Sequence, residues 1–357
     1  MAAPRYSSTT LAEDVRSDST FRIPLIDFAA YKQATSLAEK RCIADDIVNG
    51  FKEVGFVYLT GNVIAPETVN SVFQKASIRI LKASAEFFQL PEETKARLAW
   101  DDPKANRGYV QVGRERVTTS QDAAEIAALR AKAPDTKETM EIGRDNHPNF
   151  SNKWPQETEA PEFKETMLHF FQTCHEVHTM VMRSIALGLD LPEDFFDEKI
   201  DRQDHNLRLL SYPPIRTSLL LGDDQARAGA HTDYGTLTLL FQDSIGGLEV
   251  QNPHTKHYQP ASPIPGTIVV NAGDLLARWS NDVFRSTLHR VVAPPAIKVN
   301  DTEGMTPARQ SIAFFCNPNF DAIIESLPSC TSTSNPSKYP PLTTEQYIVG
   351  RLAATYS

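Results

Sequence analysis

His231, Asp233 and His289 are the side chains best suited to chemistry in this chain. His231-Thr232-Asp233 lies in GAHTDYGTLTLLF, His289 in STLHRVVAPP, and Arg309-Gln310-Ser311 follows in ARQSIAFFC. Residues two apart on a strand share a face, so His231 and Asp233 are expected to aim an imidazole and a carboxylate at one point. By the same rule Arg309 and Ser311 are expected to aim a guanidinium and a hydroxyl at one carboxylate. Two histidines and a carboxylate on one side of a metal leave positions open, which suits non-haem Fe(II) oxygen chemistry. The Arg-x-Ser pair adds an anchor for an acidic co-substrate. Each fragment alone has an ordinary explanation. A His-x-Asp spacing is common, a single histidine is usually a satisfied core residue, and a single arginine is usually a surface charge. The ordered set inside apolar strands points to a site, because unpaired charges are costly there.

The elements that must position these residues follow from the pattern around them. From Leu207 onward the chain reads as short strands separated by Pro and Gly: RLLSY, AGAHTD, TLTLLF, GLEVQ, TIVVN, DLLARW, STLHRVV and QSIAFFC. Such spacing predicts a sandwich or barrel. Pro294 to Pro307 is expected to be a hairpin loop that accounts for the gap between His289 and Arg309. TSTSNPSKYPP reads as a surface linker before a last short helix ending near Leu352. Residues 22–60 alternate strand, helix and strand. Long helices are expected over Ile64 to Phe88 and Pro161 to Leu189. Residues 117–145 are polar and charged and are expected to form a mobile surface excursion. Its ends, near Arg107-Gly108-Tyr109 and Met140, would border the mouth of the site. The expected organisation is a flexible lead-in (1–21), an α/β region (22–200) and a site-bearing core with a C-terminal helix (201–357), packed as one unit.

Composition narrows the function classes. At 41% hydrophobic and 23% charged, the 357-residue chain has the make-up of an ordinary globular protein. No apolar run approaches the roughly 20 residues needed to span a bilayer, and the first twenty residues resemble neither a signal nor a transit peptide. A net charge of −9 argues against nucleic acid or an anionic membrane as partner. A small-molecule substrate and a cytoplasmic location are expected, and oligomeric state is not legible. Cys42, Cys174, Cys316 and Cys330 lack metal-like spacing and read as reduced thiols, Cys316 as a core residue. His175 and His178 are neighbours on a helix, but no third ligand is suggested nearby. His147, His169, His205, His254 and His257 have no partner that the sequence suggests.

Several stretches carry a family likeness. IPLIDF, GFVYLTGN, FFQLPEETK and NRGYVQVGRE in the first half, with RLLSYPP, GAHTDYGTLTLLFQD, GGLEVQ, IPGTIVVNAGDLLARWSND and STLHRVV in the second, resemble Fe(II)- and 2-oxoglutarate-dependent dioxygenases of the isopenicillin N synthase-like group. KETMEIGRD, RLLSYPP, GDLLARWSND and FFCNPNF are similar to the fungal thymine hydroxylase-type members. Compared with them, the first long helix carries about seven extra residues around Ile78 to Ser84, two turns of helix, where KAS occurs twice.

The resemblance implies a mixed α and β fold, with a double-stranded β-helix (jelly roll) core and flanking N-terminal helices. It implies Fe(II) held by His231, Asp233 and His289. It also implies 2-oxoglutarate held by Arg309, Ser311 and Tyr212, dioxygen as the other co-substrate, and help from ascorbate. The family's Asn-x-Tyr motif has Leu210 in the Asn position here, while the tyrosine is kept. Strand parity puts Arg208 and Leu210 on the face of Tyr212, and Ala313, Phe315 and Asn317 on the face of Arg309. An interior Arg208 needs an acceptor, which is either a flat substrate with carbonyl groups or an internal carboxylate. Phe315 and Tyr234 either cover a ring or pack in the core, and Asn317 suits an amide edge. Arg208, Tyr234, Phe315 and Asn317 match the pyrimidine-contacting positions of the thymine hydroxylase type. The lead expectation is oxidation of the methyl group of thymine or a related pyrimidine. The alternative is hydroxylation, desaturation or ring expansion of a fungal secondary-metabolite intermediate. A zinc hydrolase or isomerase is disfavoured by the Arg309/Ser311 anchor and by the lack of a general base near His289. A non-catalytic scaffold is disfavoured because every expected ligand is present.

Overall fold

A computed structural model describes residues 21–61, 69–115, 120, 122–132, 134–220, 226–294 and 304–356. The expected lead-in up to residue 20, the first residues of the helix expected from Ile64, part of the polar excursion and most of the expected hairpin loop lie outside them. In the first half the elements are β1 (Leu25–Asp27), α1 (Ala29–Gln33), α2 (Leu37–Glu53), β2 (Phe56–Thr60), α3 (Val69–Phe88) and α4 (Glu92–Arg97). They continue with β3 (Gly108–Val110), α5 (Ala123–Lys132), β4 (Glu138–Ile142), α6 (Phe163–Gly188) and α7 (Asp197–Ile200). The second half supplies β5 (Asn206–Tyr212), β6 (Ala228–His231), β7 (Leu237–Gln242), β8 (Leu248–Gln251), β9 (Tyr258–Pro260) and β10 (Ile268–Ala272). After these come α8 (Asp274–Trp279), β11 (His289–Val291), β12 (Arg309–Cys316) and α9 (Thr344–Tyr356).

Two sheets form the jelly roll. The larger runs β1-β2-β10-β7-β12-β5-β4-β3, and the smaller runs β6-β11-β8-β9. Alternation along the strands separates two cores. Leu207 and Leu209 on β5, with Ile312 and Phe314 on β12, join the cluster that includes α2 and α6. The intervening residues Leu210, Tyr212 and Ala313 join Phe56, Val250, Val269 and Val291 between the two sheets. Side chains two apart share a face, so this register also turns Arg208, Arg309 and Ser311 toward the inner space. The helices hold the opposite face of the large sheet. α2 begins at a capping box in which Ser36 accepts from the Glu39 N–H and Glu39 accepts from the cap backbone.

The structure departs from the expected elements in three places. DLLARW is helix α8, preceded by Gly273 as N-cap, with Asp274 in its first turn and Arg278 in its last. It lacks β-branched residues, and its buried Leu275, Leu276 and Trp279 repeat as on a helix rather than a strand. The charged 117–145 stretch is only partly a surface excursion. Glu138–Ile142 is β4, buried throughout and paired between β3 and β5, because its charged side chains find partners inside. The third departure concerns Asp233, which lies beyond the end of β6. α3 runs unbroken through Ile78 to Ser84, with Ile80 and Ser84 buried against the core side. The four cysteines are free, and Cys174, Cys316 and Cys330 are buried. Among the described residues no helix is long and apolar enough to cross a membrane.

Candidate active site

His231 ends β6, and His289 opens the neighbouring β11 directly opposite it in register. Asp233 reaches the same point from the turn that follows β6, so the pair meets through a chain reversal and not through strand parity. Asp233 Oδ1 is 3.8 Å from His231 Nε2 and 3.6 Å from His289 Nε2. The other atoms of each side chain are already engaged. His231 Nδ1 lies 2.8 Å from the Gly229 carbonyl, and His289 Nδ1 lies 3.1 Å from the Thr287 carbonyl. A carbonyl can only accept, so Nδ1 carries the proton in both rings and Nε2 is left as a lone pair. Asp233 Oδ2 accepts from the Thr238 hydroxyl and the Asn271 amide. Burial, with His289 beside it, holds the His231 pKa below the ordinary imidazole range, which keeps the ring neutral. Burial acts against the Asp233 charge, but His289, His231 and the two donors hold its carboxyl below the ordinary range. Three converging donor atoms with their remaining atoms tied off fit a divalent ion of the iron type.

The turn carrying Asp233 is clasped from several sides. The Asp274 N–H donates to the Asp233 carbonyl, and the Asp274 carboxylate accepts from Thr232, Ser286 and Tyr347. One residue on α8 therefore ties the Asp233 turn, the approach to His289 and the C-terminal helix together. Gly235 completes the turn. A Cβ there would collide with the Cys316 carbonyl oxygen and with Asn317 Oδ1, so glycine allows the turn to lie against the end of β12. Gly235→Ala is expected to lower stability by about 1–3 kcal/mol, as read by thermal melting. A melting midpoint equal to the parent's would contradict this close-approach account.

Two cavities meet at His231 and Asp233. The inner one, about 590 Å³ with its mouth, is lined by Tyr212, Thr238, Asn271, Arg309 and Ser311 along with the three converging side chains. Arg309 is 1% exposed and has no carboxylate partner among the described residues. Its guanidinium donates to Ser311 Oγ and Gln242 Oε1 and lies 4.8 Å over the Tyr212 ring. The guanidinium of Arg227 lies 5.2 Å from the same ring. Buried positive charge of this kind calls for an anion, and the planar fork suits a carboxylate.

The outer cavity, about 560 Å³ with its mouth, is lined by Asn106, Glu115, Asn206, Arg208, Tyr234, Phe315, Asn317, Ile348 and Leu352 among others. The structure therefore gathers Arg208, Tyr234, Phe315 and Asn317 around one space. Arg208 already has protein partners: Nε is 2.7 Å from Glu141 and Nη1 is 3.2 Å from Glu115. Its guanidinium lies 5.3 Å over the Phe315 ring. The internal carboxylates weighed as one explanation for Arg208 are thus present, and the side chain still faces the cavity. Asn317 donates one amide hydrogen to the Asp204 carbonyl. Tyr234 is covered by Arg351 of α9 at 4.8 Å.

Several residues beside the site escape a reading of the sequence. Glu115, Asp135 and Lys137 form a buried cluster in which Lys137 contacts both carboxylates. Burial alone would neutralise Lys137, but Asp135 and Glu115 hold its ammonium above the ordinary lysine range. Asp135 also accepts from the N–H of Gly229, the residue whose carbonyl orients His231. The expectation that His205 lacks a partner fails. It meets His175 and His178 within a few ångströms, because β5 begins against the inner face of α6. The Asn317 N–H donates to His205 Nδ1, so His205 Nε2 carries a proton and donates to His175 Nδ1. His205 has no nitrogen left for a metal; it is hydrogen-bonded to His175, while His178 packs edge-on against its ring and bonds the Thr236 hydroxyl instead. Only the Arg208 and Asn317 parity could have drawn attention to this region.

Residues 203–318 match the 2OG-Fe(II) oxygenase superfamily, and residues 23–157 match the non-haem dioxygenase in morphine synthesis N-terminal family. The chain is 32% identical over 349 residues to the 2-oxoglutarate-Fe(II) type oxidoreductase ppzD of Metarhizium majus, covering 94% of this chain and 95% of that one. It is 32% identical over 338 residues to the 2-oxoglutarate-dependent dioxygenase htyE of Aspergillus rugulosus, covering 94% and 99%. The crystal structure of the full-length thymine hydroxylase of Neurospora crassa with alpha-KG and thymine superposes with a TM-score of 0.82 at 45% identity, covering 94% of this chain and 97% of that one.

Proposed function

Since the chain belongs to the 2OG-Fe(II) oxygenase superfamily, we propose that this Fe(II)- and 2-oxoglutarate-dependent dioxygenase oxidises the methyl group of thymine or a closely related pyrimidine. The outer cavity carries this reading, with aromatic Phe315 and Tyr234 and polar Arg208 and Asn317 beside His231 and Asp233. The thymine-bound Neurospora crassa structure supports it. In this proposal the Nε2 atoms of His231 and His289 and Asp233 Oδ1 hold the iron. Arg309, with Ser311 and Tyr212, holds the far carboxylate of 2-oxoglutarate in the inner cavity. Bound iron supplies activation of dioxygen, coupled to loss of CO2 from 2-oxoglutarate, so that thymine, O2 and 2-oxoglutarate give 5-hydroxymethyluracil, succinate and CO2. The chain's own contribution is placement. Phe315 and Tyr234 fix the ring plane, Arg208 and Asn317 fix its edge, and Ile348 and Leu352 of α9 limit water at the mouth.

A second reading is oxidation of a larger fungal intermediate. It draws on a further space of about 410 Å³ that shares Asn106, Asn206, Asn317, Ile348 and Leu352 with the outer cavity. A succinate-release assay across thymine, uracil derivatives and larger ring compounds separates the two. Thymine is expected to raise succinate formation above the substrate-free background and yield 5-hydroxymethyluracil. Arg208→Ala is expected to remove that stimulation while leaving the anaerobic Fe(II)–2-oxoglutarate absorption band in place. No stimulation by thymine would reject the pyrimidine substrate and favour the larger one.

A further inference from the structure

Asn206 stands at the start of β5, two residues before Arg208 and opposite Phe315 in the pairing with β12. It therefore shares the inner face with Arg208 and lines the outer cavity. Its Nδ2 donates to the Asn106 carbonyl at 3.2 Å. A carbonyl can only accept, so this contact fixes which end of the amide is oxygen. Asn206 Oδ1 is left buried, with no donor among the described residues. Buried acceptors are nearly always satisfied, and an unsatisfied one beside a cavity calls for a donor from whatever fills it.

The surroundings restrict that donor. Arg208, next on the same face, offers N–H groups, but its charge is balanced by Glu115 and Glu141. The wall therefore presents an acceptor beside donors with no surplus positive charge, and it disfavours an anionic ring. The complement is a flat, neutral ring edge where an N–H adjoins a C=O. We propose that Asn206 is a specificity-determining residue whose Oδ1 accepts the ring N–H of a cyclic amide or imide while the adjacent carbonyl faces Arg208. This rests on the reading of the outer cavity as the substrate site.

The test is calorimetric titration of the anaerobic Fe(II)–2-oxoglutarate protein with thymine, 1-methylthymine, 3-methylthymine and glutarimide. Parent and Asn206→Ala proteins are compared, with the absorption band and melting midpoint reporting intact folding. In the parent, one of the two N-methyl thymines is expected to bind at least tenfold more weakly than thymine. In Asn206→Ala thymine is expected to weaken by a similar factor and the discrimination to fall to threefold or less. Unchanged thymine affinity in the variant, or discrimination that survives it, overturns this proposal and leaves the thymine reading intact. Asn206-dependent binding of glutarimide without binding of thymine supports this proposal and overturns the thymine reading. A parent protein that binds none of these rings overturns both. The methyl-thymine comparison in the parent needs no substitution, so it stands even where Asn206→Ala folds poorly.

Discussion

Asp233→Ala protein, mixed with Fe(II) and 2-oxoglutarate without oxygen, is expected to stay colourless where the parent develops a visible charge-transfer band. Substrate-dependent succinate formation falls below detection in the same variant. The expectation follows from the division of labour within the carboxylate. Oδ1 faces both imidazole Nε2 atoms, and Oδ2 is fixed by Thr238 and Asn271. Removing the side chain deletes one of three donors and strands two buried hydrogen-bond donors, which costs about 1–3 kcal/mol for each group left unsatisfied. Stability alone could therefore mislead, and a thermal titration resolves it. A metal held at one hundred times its Kd stabilises the parent by about 2.7 kcal/mol. The melting midpoint of Asp233→Ala should not move with added Fe(II). A band as intense as the parent's would remove Asp233 from the ligand set.

Arg309→Leu should raise the KM for 2-oxoglutarate by about 100- to 1,000-fold, equivalent to about 2.7–4 kcal/mol, with little effect on substrate affinity. Arg309→Lys, which keeps the charge but loses the fork, should fall between variant and parent. The local electrostatics add a second expectation. Arg227 and Arg309 both lie against the Tyr212 ring, and neither has a carboxylate partner among the described residues. Burial, with Arg309 adding repulsion, lowers the Arg227 pKa to about 10. Removing Arg309 relieves that repulsion but leaves Ser311 Oγ and Gln242 Oε1 without their donor, so the two effects oppose and the variant without 2-oxoglutarate should melt close to the parent. Adding 2-oxoglutarate should then stabilise only the parent. Equal apparent affinity for 2-oxoglutarate in the two proteins would exclude the anchor role.

The parts of this site that are legible in the sequence are those governed by short-range geometry. Alternation along β12 and β5 correctly places Arg309, Ser311, Tyr212 and Arg208 on inward faces, because a two-residue period survives any tertiary arrangement. The same rule, followed one step further toward the N-terminus, reaches Asn206. It misjudges Asp233, whose position comes from a turn packed through Gly235. Pairings across long stretches of chain are not legible. Glu115 reaches Arg208 across 93 residues, and nothing local distinguishes it from the charged residues around it. The stretch holding Lys137 and Glu138 reads as exposed for the same reason. A charge-rich strand can be buried only when distant partners neutralise it, and those partners are set by the sheet order. α8 reads as a strand only because the strands on either side of it outweigh its own composition.

The clasp at Asp274 bears on the order in which the protein becomes functional during synthesis. All three proposed iron ligands have left the ribosome before α9 is made. The Tyr347 hydroxyl, one of three side-chain donors to Asp274, comes only with that helix, as do the Arg351 cover over Tyr234 and the Ile348 and Leu352 walls. A nascent chain at that stage holds the ligands without the finished enclosure. Joining α9 to the Asp233 turn through Asp274 makes completion of the enclosure coincide with docking of that helix.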